Sequence, residues 1–234
     1  VQANLVGVSI STKPGTAYYI PLRHIANSVP LLIDEKLDQK DKIEQINFDS
    51  AINLLKKILQ DPSIIKVGHN IKFDMLVFSQ KRNGSINLYP VHDTMCMSYV
   101  NDANRYSHKL DSLAKDFFDH ETIKYDDVCG KGAKQVTFDK IHPNDGLNYA
   151  AEDVRFLHSI TKIQIKNLLK SKKFEFFQSC CEKEKNFGQE DFSESRLRRL
   201  KKKNKKISDT EIKIFNWREQ EAQNLNVPPS HIFE

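Results

Sequence analysis

The sequence predicts an α/β domain, a mixed β-sheet with helices packed against it, followed by a basic helical extension. Three observations carry this reading. A hairpin signal opens the chain, a β-branched alternating run before the turn Lys13-Pro14-Gly15 and a short returning run after it. Short apolar runs then alternate with apolar residues at helical spacing, the order expected of helices layered on a sheet. Past Ser171 the composition turns polar and basic, and eight of the eleven residues Arg196–Lys206 are Lys or Arg.

In order along the chain, Asn4–Ser11 reads as a strand and Ala17–Pro21 as its returning partner. Residues from about His24 to Asn47 are polar and irregular. Phe48–Leu59 has a helical apolar face, with Asp49 and Ser50 as candidate caps. Ile64–Gly68 fits a short buried strand, and a helix from about Asn70 to Gln80 follows. Leu88–His92 reads as another strand, then helices near Thr94–Val100 and Leu110–Phe118. One long helix is expected from about Asn144 to Leu169, with Pro143 suited to its start. Phe174–Cys181 is helical, and Ser208–Asn224 reads as a helix capped by Ser208 or Asp209. The division expected is a domain over residues 1–170, a basic linker over 171–206 and a helical segment over 207–234.

Composition sets limits on function. With 234 residues and 39% hydrophobic content, a normal core is feasible, and no apolar run approaches the length that crosses a bilayer. Cys96, Cys129, Cys180 and Cys181 form no C-x-x-C pair, so reduced thiols and a cytoplasmic location are expected. The eight histidines show no metal-ligand spacing on one helix. The net charge of +5 is uneven: Ser171–Lys206 holds 12 basic and 6 acidic residues, net +6, which leaves the remainder near −1. A basic run of this kind is either a nucleic-acid contact through phosphates or a solvated charge run.

Two segments carry candidate chemistry. Tyr149-Ala-Ala-Glu-Asp153 places a phenol and a carboxylate one turn apart on one helix face. Gly68-His69-Asn70-Ile71-Lys72-Phe73-Asp74 ends in a second carboxylate, at the passage from strand to helix. Each alone is compatible with ordinary helix chemistry, a packed Tyr and a solvated Asp in one, an Asn N-cap and an early-turn Asp in the other.

Together these segments resemble two of the three motifs of the DEDD 3′–5′ exonucleases, in the subfamily with Tyr in the third motif. The proofreading domain of bacterial DNA polymerase I is similar over about residues 1–165. His92-Asp93-Thr94-Met95, Leu110-Asp111-Ser112-Leu113-Ala114 and Gly130-Lys131-Gly132 with Thr137-Phe138 add to the likeness. The resemblance implies a ribonuclease H-like core and hydrolysis of phosphodiesters at single-stranded 3′ ends. It also implies two divalent ions, Mg²⁺ or Mn²⁺, held by hard carboxylate oxygens. On this likeness Asp153 and Asp74 are metal-side carboxylates, and Tyr149 orients the attacking water, with assistance in its deprotonation as a second role. Asn70 and His69 face the substrate, Tyr125 takes the place of a stacking aromatic, and Arg105 lies near a phosphate-contacting Arg. The implied partners are DNA, with RNA as the alternative, and a polymerase. Phe215-Asn-Trp-Arg-Glu-Gln-Glu-Ala222 with Pro228-Pro229 resembles the opening of an HRDC domain, the module that follows the nuclease in ribonuclease D.

The family's first motif, Asp-x-Glu on the opening strand, is absent, since no acidic residue precedes Asp34. The chain also opens on Val rather than Met, so truncation, a split gene or an upstream segment is the expected source of the gap. The competing expectations are RNA 3′ processing and a catalytically inactive nucleic-acid-binding scaffold. With two carboxylates, weak metal binding and little turnover are expected.

Overall fold

The structure is a computed structural model and describes residues 3–25, 43, 45–183, 192–203, 207–225 and 229–232. Most of the irregular 24–47 segment, the 184–191 stretch, the last three residues of the basic run and part of the HRDC-like stretch lie outside the described residues. The chain divides into two compact units, Asn4–Lys185 and, with the first three residues, Asn186–Glu234.

In the larger unit β1 (Gly7–Ile10) and β2 (Tyr18–Pro21) pair antiparallel, Gly7 opposite Pro21 and Ile10 opposite Tyr18. The expected hairpin is present. Tyr19 lies across Gly7, where a Cβ would stand 2.1 Å from the phenol oxygen, so only glycine admits the ring. The Tyr19 hydroxyl meets His24 Nε2 at 2.6 Å, and His24 Nδ1 meets the Ile141 carbonyl at 2.8 Å. This chain of contacts ties the hairpin to the segment that leads into the Tyr149 helix.

Helix α1 (Phe48–Leu59) buries Ala51, Ile52 and Leu55. Its cap is Asn47, whose side chain accepts the Ser50 N–H at 3.0 Å, not Asp49 or Ser50. β3 (Lys66–Gly68) and β4 (Val91–Asp93) pair parallel, with Gly68 opposite Asp93. β3 is shorter than the apolar run suggested. Asp61 bonds Ser63 through both its N–H and its hydroxyl, which turns the chain there and leaves Ile64 and Ile65 exposed. Lys66 is buried instead, its ammonium donating to the Asp61 and Tyr89 carbonyls at 2.9 and 2.6 Å.

Antiparallel and parallel pairing therefore both occur, in two separate two-stranded sheets among the described residues. Asn83, fully buried, joins the two regions. Its amide oxygen accepts the Leu5 N–H at 3.1 Å beside β1, and its amide nitrogen donates to the Val77 carbonyl at 2.8 Å. Val77 belongs to α2 (Ile71–Ser79).

The rest of the unit is helical: α3 (Thr94–Asn101), α4 (Leu110–Phe118), α5 (Tyr125–Cys129), α6 (Pro143–Arg155), α7 (Leu157–Lys170) and α8 (Phe174–Lys183). Phe156 interrupts what the sequence presents as one long helix, and its ring stacks on Phe118 and tilts against His120. α6 packs on β1, β2 and α5, whereas α7 packs on α3 and α8. Met97, Leu168, Phe177 and Cys181 form the core between α3, α7 and α8. α8 lies within the expected 171–206 linker, yet its Phe177 is fully buried and its Glu182 accepts the Tyr89 hydroxyl at 2.5 Å.

The smaller unit holds α9 (Phe192–Lys203) and α10 (Asp209–Leu225). Ser208 caps α10 reciprocally with Glu211, as Ser208 N donates to Glu211 Oε2 at 2.8 Å and Glu211 N donates to Ser208 Oγ at 3.3 Å. Phe215 and Ala222 are buried, and the buried Glu219 takes Arg196 from α9 together with Arg218. No helix among the described residues is long and apolar enough to cross a membrane.

Candidate active site

The site is built around the start of α2. Asn70 sits at the N-cap position in the left-handed region, φ 55° and ψ 43°, and its side chain makes no capping bond. The capping group comes from β4. The carboxylate of Asp93, 3% exposed, accepts Asn70 N–H at 3.0 Å, Ile71 N–H at 3.1 Å and Met95 N–H at 2.8 Å. One side chain thereby closes the N-termini of α2 and α3. It fixes the direction in which α2 presents Asp74 one turn later, and leaves the Asn70 amide exposed.

Asp74 and Asp153 meet solvent at the surface, but protein crowds both in a wider shell. That loss of hydration pushes the Asp74 carboxyl up to about 6, with the charges of Asp93 and Asp153 adding and its own backbone N–H opposing. Asp153 is likewise pushed up to about 6, first by desolvation and then by the neighbouring Glu152. Tyr149 is half-buried, and desolvation followed by the Asp153 charge pushes its phenol up to about 12. Of the three side chains proposed from sequence, Asp153 thus lies within electrostatic range of both Asp74 and Tyr149.

Tyr125 joins them. Its ring meets Tyr149 edge-on, centroids 6.0 Å apart, and Phe138 lies 5.7 Å from Tyr149 on tilted planes. A hydrogen bond to the Cys129 thiol is the chief cause raising the Tyr125 phenol. His69 is near but engaged: Nδ1 lies 2.9 Å from Thr94 Oγ1, whose hydroxyl donates to the Gly68 carbonyl at 3.0 Å. Burial pulls the His69 pKa down, against a pull upward from Asp93. Arg105 is not brought to this group. It pairs with Asp116, donates to the Ser107 carbonyl at 2.8 Å, and borders a cavity of about 490 Å³ lined also by Ser98, Asn101, Phe117 and Gln164.

Two residues escaped the sequence reading as site builders. Asp93 had a signal, an Asp immediately before a helix start. Glu152 had none. It is 8% exposed, accepts the Ile123 N–H at 2.5 Å and lies 2.6 Å from His120 Nε2.

Among the described residues no three His, Cys, Asp or Glu side chains cluster as a metal site. The carboxylate oxygens of Asp74 and Asp153 are of the hard donor type that a partly hydrated divalent ion takes. They are too few for two ions.

The family described as 3′–5′ exonuclease matches residues 1–170. DNA polymerase I of Pseudomonas aeruginosa is 40% identical over 152 residues, covering 65% of this chain and 15% of that protein. DNA polymerase I of Rhizobium leguminosarum is 38% identical over 162 residues, with the same coverages. The chain thus spans about 15% of the length of these relatives. Among solved structures, Escherichia coli RNase D matches with a TM-score of 0.59 at 22% identity, over 77% of this chain and 47% of that one. Brucella melitensis NrnC matches with a TM-score of 0.56 at 21% identity, over 78% of this chain and 74% of that one. These structures share the fold, and the sequence match identifies the group: the chain belongs to the 3′–5′ exonuclease family.

Proposed function

We propose that the chain carries the water-activating half of a two-metal exonuclease site and acts on single-stranded 3′ ends of DNA. The observation that supports this most is the electrostatic link from Asp74 through Asp153 to Tyr149. The DNA polymerase I relatives favour DNA over RNA as the substrate. A divalent ion such as Mg²⁺ or Mn²⁺, when bound, supplies charge neutralisation and a more acidic water at the phosphodiester. Asp153 and Asp74 would hold it through carboxylate oxygens. Burial pushes Tyr149 up to about 12, so without the ion it keeps its proton at neutral pH and its hydroxyl can orient the attacking water. Tyr125 offers a ring against the terminal base, and the exposed Asn70 amide offers hydrogen bonds to the terminal nucleotide.

Residues 1–234 alone are short of carboxylates for a second ion, so weak metal binding and little turnover are expected of them. The test is Mn²⁺ titration of this chain together with degradation of a 5′-labelled single-stranded DNA oligonucleotide. Weak Mn²⁺ binding that disappears in Asp153→Ala, without processive cleavage, is expected. Cleavage at ordinary enzymatic rates, about 1 s⁻¹ or faster, overturns the half-site reading. A longer polypeptide carrying an Asp-x-Glu ahead of Val1 should degrade DNA and lose that activity in Asp153→Ala. Preference for an RNA of the same sequence would replace the substrate assignment.

A further inference from the structure

Glu152 and Asp153 are consecutive in α6, about 100° apart around the helix axis, so their carboxylates leave it in different directions while staying close enough for Glu152 to raise Asp153. Asp153 faces the exonuclease site. Glu152 faces the irregular segment between α4 and α5, where Asp119 ends α4 in the left-handed region and Lys124 precedes α5. One Glu152 oxygen takes the Ile123 N–H at 2.5 Å, and the other lies 2.6 Å from His120 Nε2. Glu152 is 8% exposed and both contacts are part-buried, so they are partly shielded from water, which strengthens them.

Two residues beyond Ile123 stands Tyr125, the first residue of α5. α5 has five residues, too few to hold its own place by helix formation alone. Its far end is tied by Val136 N–H to the Cys129 carbonyl at 2.9 Å. Its near end is tied to α6 through the Glu152 bond to Ile123.

We infer that Glu152 is a positioning residue for the substrate platform: by anchoring Ile123 and His120 to the catalytic helix, it sets Tyr125 against Tyr149 beside Asp153, so that the terminal base of a single-stranded 3′ end stacks in register with the metal side. This rests on the exonuclease reading above. One helical turn then fixes both the ion-binding carboxylate and the height of the stacking ring.

The test uses residues 1–234 without divalent ions and a single-stranded oligonucleotide bearing 2-aminopurine at its 3′ terminus, whose fluorescence is quenched on stacking. Binding is followed below the melting transition of each variant, checked by circular dichroism. Glu152→Ala should weaken terminal-base binding about 5-fold or more, the worth of one stacked base. Glu152→Gln should recover most of it, since its amide oxygen still accepts from Ile123. Tyr125→Ala should lose as much, and the double variant no more than Tyr125→Ala alone. Full quenching in Glu152→Ala, or losses that add in the double variant, overturns the inference while leaving the exonuclease reading intact. Full quenching in Tyr125→Ala overturns it together with the stacking role. If Glu152→Ala does not fold, His120→Ala removes one of the two anchors, and full quenching there overturns the inference as well.

Discussion

Asp93 holds Asn70 by its backbone, accepting the Asn70 N–H at 3.0 Å and the following Ile71 N–H at 3.1 Å. The bond explains why α2 can begin from a residue with positive φ and no side-chain cap. Asp93→Ala leaves three N–H donors near a buried position without their acceptor. Unfolding in urea should show a loss of about 2–4 kcal/mol. Asp93→Asn, which keeps one acceptor oxygen, should lose less. A change below about 0.5 kcal/mol for the alanine variant, the range of neutral surface substitutions, would remove Asp93 from its organising role.

The two site carboxyls should leave a pH signature. Asp74 and Asp153 each rise from 3.8 to about 6. The folded chain then keeps protons that the unfolded chain releases, so this contribution to stability is complete below the unfolded value and lost as pH rises through about 6. Lowered carboxyls such as Asp61 and Asp119 act in the opposite sense, so the informative quantity is the difference between wild type and Asp153→Asn. That difference in thermal midpoint should shrink or reverse as pH climbs from about 4 to about 7. Mn²⁺ competes with the same protons, and its affinity should rise across that window. A difference that is flat with pH would show that the two environments do not perturb these groups.

Tyr149→Phe keeps the ring between Tyr125 and Phe138 and removes only the hydroxyl. Its thermal midpoint should stay close to wild type. In a longer polypeptide with the complete carboxylate set, the rate of single-stranded DNA cleavage should fall about 10²-fold. Retention of full activity would mean that the attacking water is oriented by another group.

Arg199, Lys201 and Lys202 of α9 are exposed to solvent, without an acidic partner among the described residues. Arg196 and Arg198, by contrast, are occupied by Glu219 and Glu194. Reversing these three exposed cations to Glu should weaken binding of single-stranded DNA at low salt. It should also lower the salt slope by about 0.7 for each phosphate that is no longer neutralised. An unchanged slope would identify the run as a solvated charge surface.

Legibility from sequence followed locality. Tyr149 and Asp153 could be paired on paper because one helical turn relates them, and Asp74 could be placed from its strand-to-helix setting. The hairpin and the Ser208 cap were equally local. Asp93 acts on a helix 22 residues earlier, and Glu152 on a loop 29 residues earlier. No periodicity encodes such partners. The exposure of Ile64 and Ile65 was missed because a buried lysine tethered to carbonyls takes the place expected of an isoleucine. The break at Phe156 was missed because helical spacing of apolar residues continues through it, and the cause is the ring's contact with Phe118 and His120, distant in sequence.

That break also divides mechanical responsibility within the larger unit. Before it, α6 takes its bearings chiefly from the hairpin and α5; after it, α7 takes them chiefly from α3, with α8, α6, α4 and β3 also against it. A lesion in the Phe177 layer therefore strains a neighbouring rod, not the turn that spaces Tyr149 from Asp153. Sequence drift can erode the scaffold half until the unit unfolds as a whole, while every molecule still folded keeps the same phenol-to-carboxylate spacing. Loss of protein and loss of catalytic geometry are, in this architecture, separate failures.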